Sequence, residues 1–532
     1  MFVWVIILAN AEKRNKVGVI IVGEKWFKKL LRGRMLVAVL IVLQLGVFIY
    51  LVANGSQQSL FISWTLTVIS FLVALHIVTQ KNKGAYKLTW VFLILLVPVF
   101  GGLFYLLFKF QTSSKKFHRE LEKVERGSKP SFLLPGNRFN EACKETPSHI
   151  PQIRYLQKFA GFPVYRHTRT KYLTPGEEKF SALLAELEKA ERYIFLEYFI
   201  IHDGIMWGSV LEILKEKVKQ GVDVRLIYDD MGCLFLLPKD YPKQLKKWGI
   251  KCAVFNPFRP VLSAIQNNRD HRKIAVIDGK VAFTGGINLA DEYINAIEKY
   301  GHWKDASIMI EGEAAWSFTV MFLQMWSICK NINENYHHYY PWKYERCEIE
   351  NDGLVQPYAD SPMDHENVGE HVYLQMINNA KDYVYINTPY LIIDDSMVSA
   401  LTLAAKSGVD VRIVTPHRWD KRIVHFTTRS YYRELISAGI KIYEYTEGFM
   451  HSKTFVSDDS TATVGTTNLD FRSLYLHFEC GVWLYNSTAV MEVKNDFLKT
   501  LEISQKIRKQ DCKDNVISNF LQDFLRLFAP LM

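Results

Sequence analysis

One pattern of residues occurs twice in this chain. His271, Lys273, Asp278, Gly285 and Asn288 follow the frame H-x-K-x4-D-x6-G-x-x-N, and His451, Lys453, Asp458, Gly465 and Asn468 repeat it at the same intervals. The two histidines lie 180 residues apart. A single frame carries little weight, because a lone strand histidine is more often a satisfied structural residue. Two copies with one internal spacing point to a duplicated scaffold. Three more blocks repeat in the same order. Ala190–Ile200 matches Ala380–Tyr390, Gln220–Ile227 matches Ser407–Val414, and Trp248–Val254 matches Ala438–Tyr443. The interval far exceeds the roughly 20–50 residues of solenoid arrays, so this is a two-fold domain repeat.

Past about Ile150, β-type apolar runs alternate with helical ones, which predicts an α/β fold. Each half reads as a strand–helix–strand unit followed by a hairpin. His271 and Lys273 are one residue apart on a predicted strand, so both face one side. Asp278-Gly279 is a hairpin-turn dipeptide, and Asp278 is equally well explained as a turn former. Asp229-Asp230 ends the predicted strand Val224–Tyr228, where a structural or turn role is expected over metal binding.

The frame dictates a chemistry. Two imidazoles with pKa near about 6.5 supply a nucleophile and a general acid at neutral pH. Two lysines only donate, and two asparagine amides can turn NH₂ towards an anion. The group that fits is a phosphodiester, held by Lys273 and Lys453 and attacked in line by one histidine. A covalent phosphohistidine divides the transfer into two steps, and the acceptor in the second is water or an alcohol. The sequence shows no carboxylate–histidine cluster at metal-ligand spacing, so no metal and no cofactor are expected. The seven cysteines form no C-x-x-C pair, which argues against a disulfide framework and a zinc site.

Charge locates the partner. The net charge is +10, but residues 1–130 carry 18 Lys/Arg against 5 Asp/Glu, leaving the rest slightly acidic. That balance argues against a nucleic-acid binder and for an anionic membrane surface near the N-terminus. Met35–Ala53, Leu60–Thr79 and Leu88–Phe108 lack charge and match the roughly 20 residues of a membrane span. Eight Lys/Arg between Lys13 and Arg34, none in Asn54–Ser59, and Lys81, Lys83 and Lys87 give an in–out–in path for the first two. The third, interrupted by Pro98, Gly101 and Gly102, either crosses or re-enters. Two more segments are lipid-contact candidates, with packing as their alternative: Phe255–Ile265, and Val516–Leu531 with its helically spaced phenylalanines.

The duplicated frame resembles the HKD motif of the phospholipase D superfamily. Over nearly its whole length the chain is similar to the superfamily's bacterial cardiolipin synthases. The supporting residues are Asn267–Tyr293, His302–Asp305, Tyr358–Asp364, Asn387–Asp395, Arg472–Glu479 and the apolar Leu96–Phe108. The resemblance implies two phospholipase D-like α/β/α sandwich domains, at about 131–345 and 346–532, packed around a shared active site. Transmembrane helices within 1–130 would precede them, in a multi-pass protein of the bacterial plasma membrane. It implies that His271 is the nucleophile and His451 the acid and later base. Lys273, Lys453, Asn288 and Asn468 would bind phosphate. An acidic residue downstream of each motif would orient its histidine, Asp305 in the first half and Glu479 in the second. Asp278 and Asp458 match the motif aspartate, with a structural role favoured for both. The Ser that often follows the motif Gly is Gly286 in one half and Thr466 in the other, which puts one phosphate donor in doubt. The implied reaction transfers phosphatidyl from one phosphatidylglycerol to another, giving cardiolipin and glycerol. A hydrolase, a transferase to another alcohol, a membrane-bound nuclease and a non-enzymatic scaffold stand as alternatives.

Overall fold

The computed structural model describes residues 57–81, 83–96, 101–102, 105–106, 112–133, 139–258, 264–342, 347–364, 366–512 and 515–531. They form two compact units. One comprises residues 1–116, 258–267 and 524–532, and the other residues 117–257 and 268–523. Both repeats fall in the second of these units.

The larger unit holds two sheets of matching order. The first repeat supplies β1 (Thr168–Leu173), β2 (Tyr193–Tyr198), β3 (Asp223–Asp229), β4 (Lys251–Phe255), β5 (Arg269–Asp270), β6 (Lys273–Ile277), β7 (Val281–Gly285), β8 (His302–Lys304) and β9 (Ser307–Gly312). The second supplies β10 (Leu354–Asp360), β11 (Tyr383–Asn387), β12 (Asp410–Pro416), β13 (Lys441–Tyr445), β14 (Gly448–Met450), β15 (Thr454–Ser457), β16 (Thr461–Gly465), β17 (His477–Tyr485) and β18 (Ser504–Ile507). The sheet orders are β1-β9-β7-β6-β2-β3-β4 and β10-β17-β16-β15-β11-β12-β13-β18. Strand for strand they superpose in sequence order, with β18 added at one edge.

Parallel β2-β3-β4 and β11-β12-β13 follow from helical crossovers between buried apolar strands. Each sheet is backed by a helix that packs a ring on a central strand. Phe322, on Ala315–Lys330, stacks on Phe195 with centroids 4.6 Å apart. Phe497, on Thr488–Glu502, stacks on Tyr385 at 4.8 Å. Helix Ala315–Lys330 is buried along most of its length, so it lacks the polar stripe of a surface helix.

The expected hairpins are present as β6-β7 and β15-β16. Their turns use positive φ at Asp278 and Gly279, and at Asp458 and Asp459, as a two-residue type I′ turn requires. Asp278 accepts backbone N–H bonds from Glu191, Arg192 and Tyr193 at 2.7–2.8 Å. Asp458 accepts from Lys381, Asp382 and Tyr383 at 2.8–3.0 Å. Each carboxylate thus secures the start of a central strand, which is the structural alternative to a catalytic part. Asp229 is likewise structural: it is fully buried and accepts from the backbone of Met231, Gly232 and Asp270.

In the smaller unit, helices Gln57–Thr79 and Gly84–Leu96 pack through Val73, Ala74, Ile77, Trp90 and Ile94. Gly102 lies against Ser70, where a β-carbon would collide with that residue's backbone. Among the described residues no helix is long and apolar enough to cross a membrane. The three-span expectation is therefore not met there. Met35–Ala53 lies outside the described residues. The segment Leu60–Thr79 falls in Gln57–Thr79, whose continuous described side chains cover only 64–79. Leu88–Phe108 contributes to a 13-residue helix, about 20 Å at 1.5 Å per residue against a bilayer core of about 30 Å. Most of the loop within Phe255–Ile265 also lies outside the described residues. The C-terminal helix Val516–Arg526 exposes Val516 and Ile517, while Phe524 and Phe528 pack on Phe92.

Replacing Asp278 by Ala strands three backbone donors. The expected cost is on the order of 2–3 kcal/mol of stability, read as a lowered thermal midpoint. An unchanged midpoint would contradict the structural role.

Candidate active site

Two short strand pairings assemble the site, and both cross between repeats. β5 runs beside β17, with Arg269 opposite His477 and Asp270 opposite Phe478. β14 runs beside β8, with Gly448 opposite His302 and Met450 opposite Lys304. Gly448 permits this approach, since a β-carbon there would collide with the His302 backbone. The chain leaves each short strand directly into a motif histidine. The His271 backbone N–H donates to Phe478 O at 2.9 Å, and that of His451 to Lys304 O at 2.7 Å. The next residue after each acceptor carbonyl is an acid, Glu479 in one case and Asp305 in the other.

The acids therefore serve the opposite histidines. His271 Nδ1 lies 2.8 Å from Glu479 Oε1 and 3.1 Å from Oε2. His451 Nδ1 lies 2.6 Å from Asp305 Oδ2. The expectation placed each acid with the motif of its own half, and the geometry exchanges them. Either carboxylate, accepting from Nδ1–H, leaves Nε2 with its lone pair free. Both carboxylates are fully buried. Thr466 donates its hydroxyl to Glu479, so that hydroxyl is engaged away from any phosphate. Gly286 occupies the equivalent place because a β-carbon there would collide with Asp305 Oδ1. The missing hydroxyl of the first half thus reflects packing around the acid.

Lys273 Nζ donates to His271 O at 2.6 Å, and Lys453 Nζ donates to His451 O. Both lysines are 2% exposed, so neither charge is solvated by bulk water. Burial lowers the Lys273 ammonium to about 7, partly offset by Glu479. It lowers Lys453 to about 8, partly offset by Asp305. His451 falls to about 4 through burial and Lys453, against the pull of Asp305. Burial, then Lys273, holds His271 well below its ordinary value. Burial raises Glu479 to about 8, although Lys273 opposes the rise. Burial thus favours uncharged imidazoles, and an anion beside them supplies a counter-charge.

The asparagines are less available than expected. Asn288 accepts from Ile200 N at 3.0 Å and donates to Tyr293 OH at 2.7 Å, so it also braces a loop. Asn468 donates weakly to Asp470, and among the described residues its Oδ1 has no partner. Asp278 and Asp458 stand at the far turns of the hairpins. The surroundings of the two histidines differ. Tyr293, Trp303 and Phe449 surround His451, with centroids 5.6, 5.2 and 5.8 Å away. His271 meets Phe199 at 5.0 Å and His477 at 5.5 Å.

His477 escaped sequence reasoning. The signal was present, since His477 and Glu479 are two apart on one strand and share a face. With His271 they form a group whose ligand atoms lie within 4.8 Å of one another. The expectation of no carboxylate–histidine cluster is corrected accordingly. The cluster is assembled by strand pairing across repeats, which linear spacing does not display.

Residues 183–326 and 373–501 match the family described as "Cardiolipin synthase, PLD-like domain". Residues 68–109 match the phospholipase D-nuclease N-terminal family. A cardiolipin synthase of Halalkalibacterium halodurans is 35% identical over 88% of this chain and 93% of its own. Cardiolipin synthase 2 of Bacillus anthracis is 36% identical over 88% and 90%. An uncharacterized protein of Streptococcus mutans is 45% identical over 86% and 99%. The fold resembles that of phosphatidylserine synthase from Haemophilus influenzae, with a TM-score of 0.54, 15% identity, and 71% and 97% of the two chains covered. Duplicated sheets and paired HKD frames define an enzyme built on the phospholipase D plan. The chain belongs, within that superfamily, to the cardiolipin synthase family.

Glu479→Gln keeps the shape but removes the carboxyl group that fixes the tautomer and ring direction of His271. Turnover is expected to drop about 10²–10⁴-fold with little change in KM. Wild-type turnover in the variant would refute the pairing. The lysines give the pH sign. A lysine with a lowered value carries its charge below that value and loses it above. For a site that captures phosphate through these two ammonium groups, kcat/KM should fall as pH rises through about 7 and about 8. A profile level to pH ~9 would contradict lysine-dependent capture.

Proposed function

We propose that this enzyme transfers a phosphatidyl group from one phosphatidylglycerol to the hydroxyl of another, releasing glycerol and forming cardiolipin. The crossed histidine–carboxylate pairs are the observation that carries this reading. They supply two imidazoles, each oriented by an acid, beside two buried lysines. His271 Nε2 attacks phosphorus, the P–O bond to glycerol breaks, and His451, protonated on Nε2 while the phosphate anion is bound, donates that proton to the departing oxygen. His451 then takes a proton from the hydroxyl of the second lipid. That oxygen attacks phosphorus, the P–N bond breaks, and cardiolipin leaves His271. Lys273 and Lys453 hold the phosphoryl charge that the in-line transition state spreads over its oxygens. Asn288 and Asn468 add amide donors. The motif resemblance assigns the nucleophile to His271, because the two acid-paired imidazoles are geometrically alike. No step calls for a cofactor.

In this reading the N-terminal region, about 1–130, holds the enzyme in the bacterial plasma membrane as a multi-pass anchor. Two phospholipase D-like domains, 131–345 and 346–532, share the site. The membrane role is supported by the N-terminal family match and by exposed Phe61, Trp64 and Phe71 on helix Gln57–Thr79. Lysines and arginines near the anchor attract anionic phosphatidylglycerol at about 1 kcal/mol each. Favouring a lipid alcohol over water is then a matter of local concentration and water exclusion.

Purified enzyme given labelled phosphatidylglycerol alone should yield cardiolipin and glycerol. Phosphatidic acid as sole product would sink the synthase reading in favour of hydrolysis. His271→Ala should lose at least ~10³-fold in rate. His451→Ala should retain a labelled phosphatidyl adduct on the protein, and its absence would overturn the division of roles.

A further inference from the structure

The transfer steps leave His477 without a task. Its side chain is nine-tenths buried, and among the described residues neither ring nitrogen has a hydrogen-bond partner. A buried imidazole in that condition is costly and marks a place where a ligand belongs. Its ring centroid lies 5.5 Å from that of His271, and its Nδ1 lies 3.9 Å from Glu479 Oε1. Glu479 is fully buried and already bridges towards His271 at 2.8 Å. One ligand atom from each of His271, His477 and Glu479 falls within 4.8 Å of the others. Closing on a common centre needs only side-chain rotation of a few tenths of an ångström to an ångström or so, since metal–nitrogen and metal–oxygen bonds are about 2.0–2.2 Å.

We infer that His271, His477 and Glu479 form an inhibitory site for a borderline divalent transition metal, zinc above all. Two imidazoles and one carboxylate are the donor set such ions take. Magnesium and calcium prefer oxygen ligands throughout and do not suit it. The inference rests on the functional reading above for its consequence. A metal on these ligands withdraws Glu479 from the His271 imidazole, whichever ring nitrogen it uses. Phosphatidyl transfer and metal binding then exclude each other, so zinc and the lipid phosphodiester compete for one pocket. Lys273, which adjoins His271, opposes the cation and tempers its affinity.

Cobalt(II) provides a readout independent of activity. Full-length protein in detergent micelles should develop the visible absorption of a low-coordinate cobalt site, and one equivalent of zinc should bleach it. His477→Ala should weaken cobalt binding about 100-fold, whereas His451→Ala, which removes a catalytic group but no ligand, should bind as wild type. His477→Asn is the second variant if the alanine form folds poorly, judged by thermal unfolding. Zinc should inhibit cardiolipin formation competitively with phosphatidylglycerol, and each His477 variant should be less zinc-sensitive relative to its own metal-free rate. No cobalt spectrum in the wild type, or an unchanged spectrum in His477→Ala, overturns the site even where cardiolipin is made. A cobalt site with these ligand requirements in a protein that makes no cardiolipin upholds the site and overturns the functional reading.

Discussion

Each motif histidine is held by a strand pairing that crosses from one repeat to the other. β5 delivers His271 to β17, and β14 delivers His451 to β8. In both cases a backbone hydrogen bond from the histidine lands on the carbonyl just before the orienting acid. Backbone register therefore sets the side-chain pairing, and the carboxylate has no freedom to choose a histidine. A half-length chain would carry a histidine without its acid. Duplication is thus a requirement of this site, since every oriented imidazole needs residues from both copies.

Concentrating charge at that seam has an electrostatic cost. Lys273, Lys453, Asp305 and Glu479 are all nearly or fully buried. Burial drives both lysines and both imidazoles towards their uncharged forms and Glu479 towards protonation. For the lysines and the imidazoles a phosphodiester reverses that balance by bringing one negative charge into the same low-dielectric space. Binding energy from the lipid phosphate is thereby coupled to charging the groups that capture it. The same coupling favours an anionic lipid over a neutral alcohol as the first occupant.

Much of this was legible before any coordinates. The repeated frame located His271, Lys273, His451 and Lys453, and the alternation of apolar runs predicted matching α/β halves. Asp278 and Asp458 were ambiguous because one short carboxylate suits both a turn and a catalytic site. Three backbone donors on each settle the geometry at the turn. The exchange of Asp305 and Glu479 was invisible, because sequence proximity favours acids within a half and the pairing is set by strands of two and three residues. His477 was hidden for a related reason. Its relation to Glu479 is periodic and local, but its relation to His271 exists only across the β5–β17 pairing.

The repeats are equivalent in topology and unequal in surroundings, and the inequality bears on how one site performs two different steps. His451 stands among Tyr293, Trp303 and Phe449, and His271 beside Phe199 and His477. Under the proposed reading His451 meets the departing glycerol and then the incoming hydroxyl. A ring-lined approach disfavours loosely held water there while tolerating the apolar edge of a lipid glycerol. Under the same reading a phosphohistidine at His271 persists only as long as water is kept from the in-line position. Under that reading, selecting a lipid alcohol over water falls to Tyr293 and Trp303 of the first repeat together with Phe449 of the second, all grouped around His451.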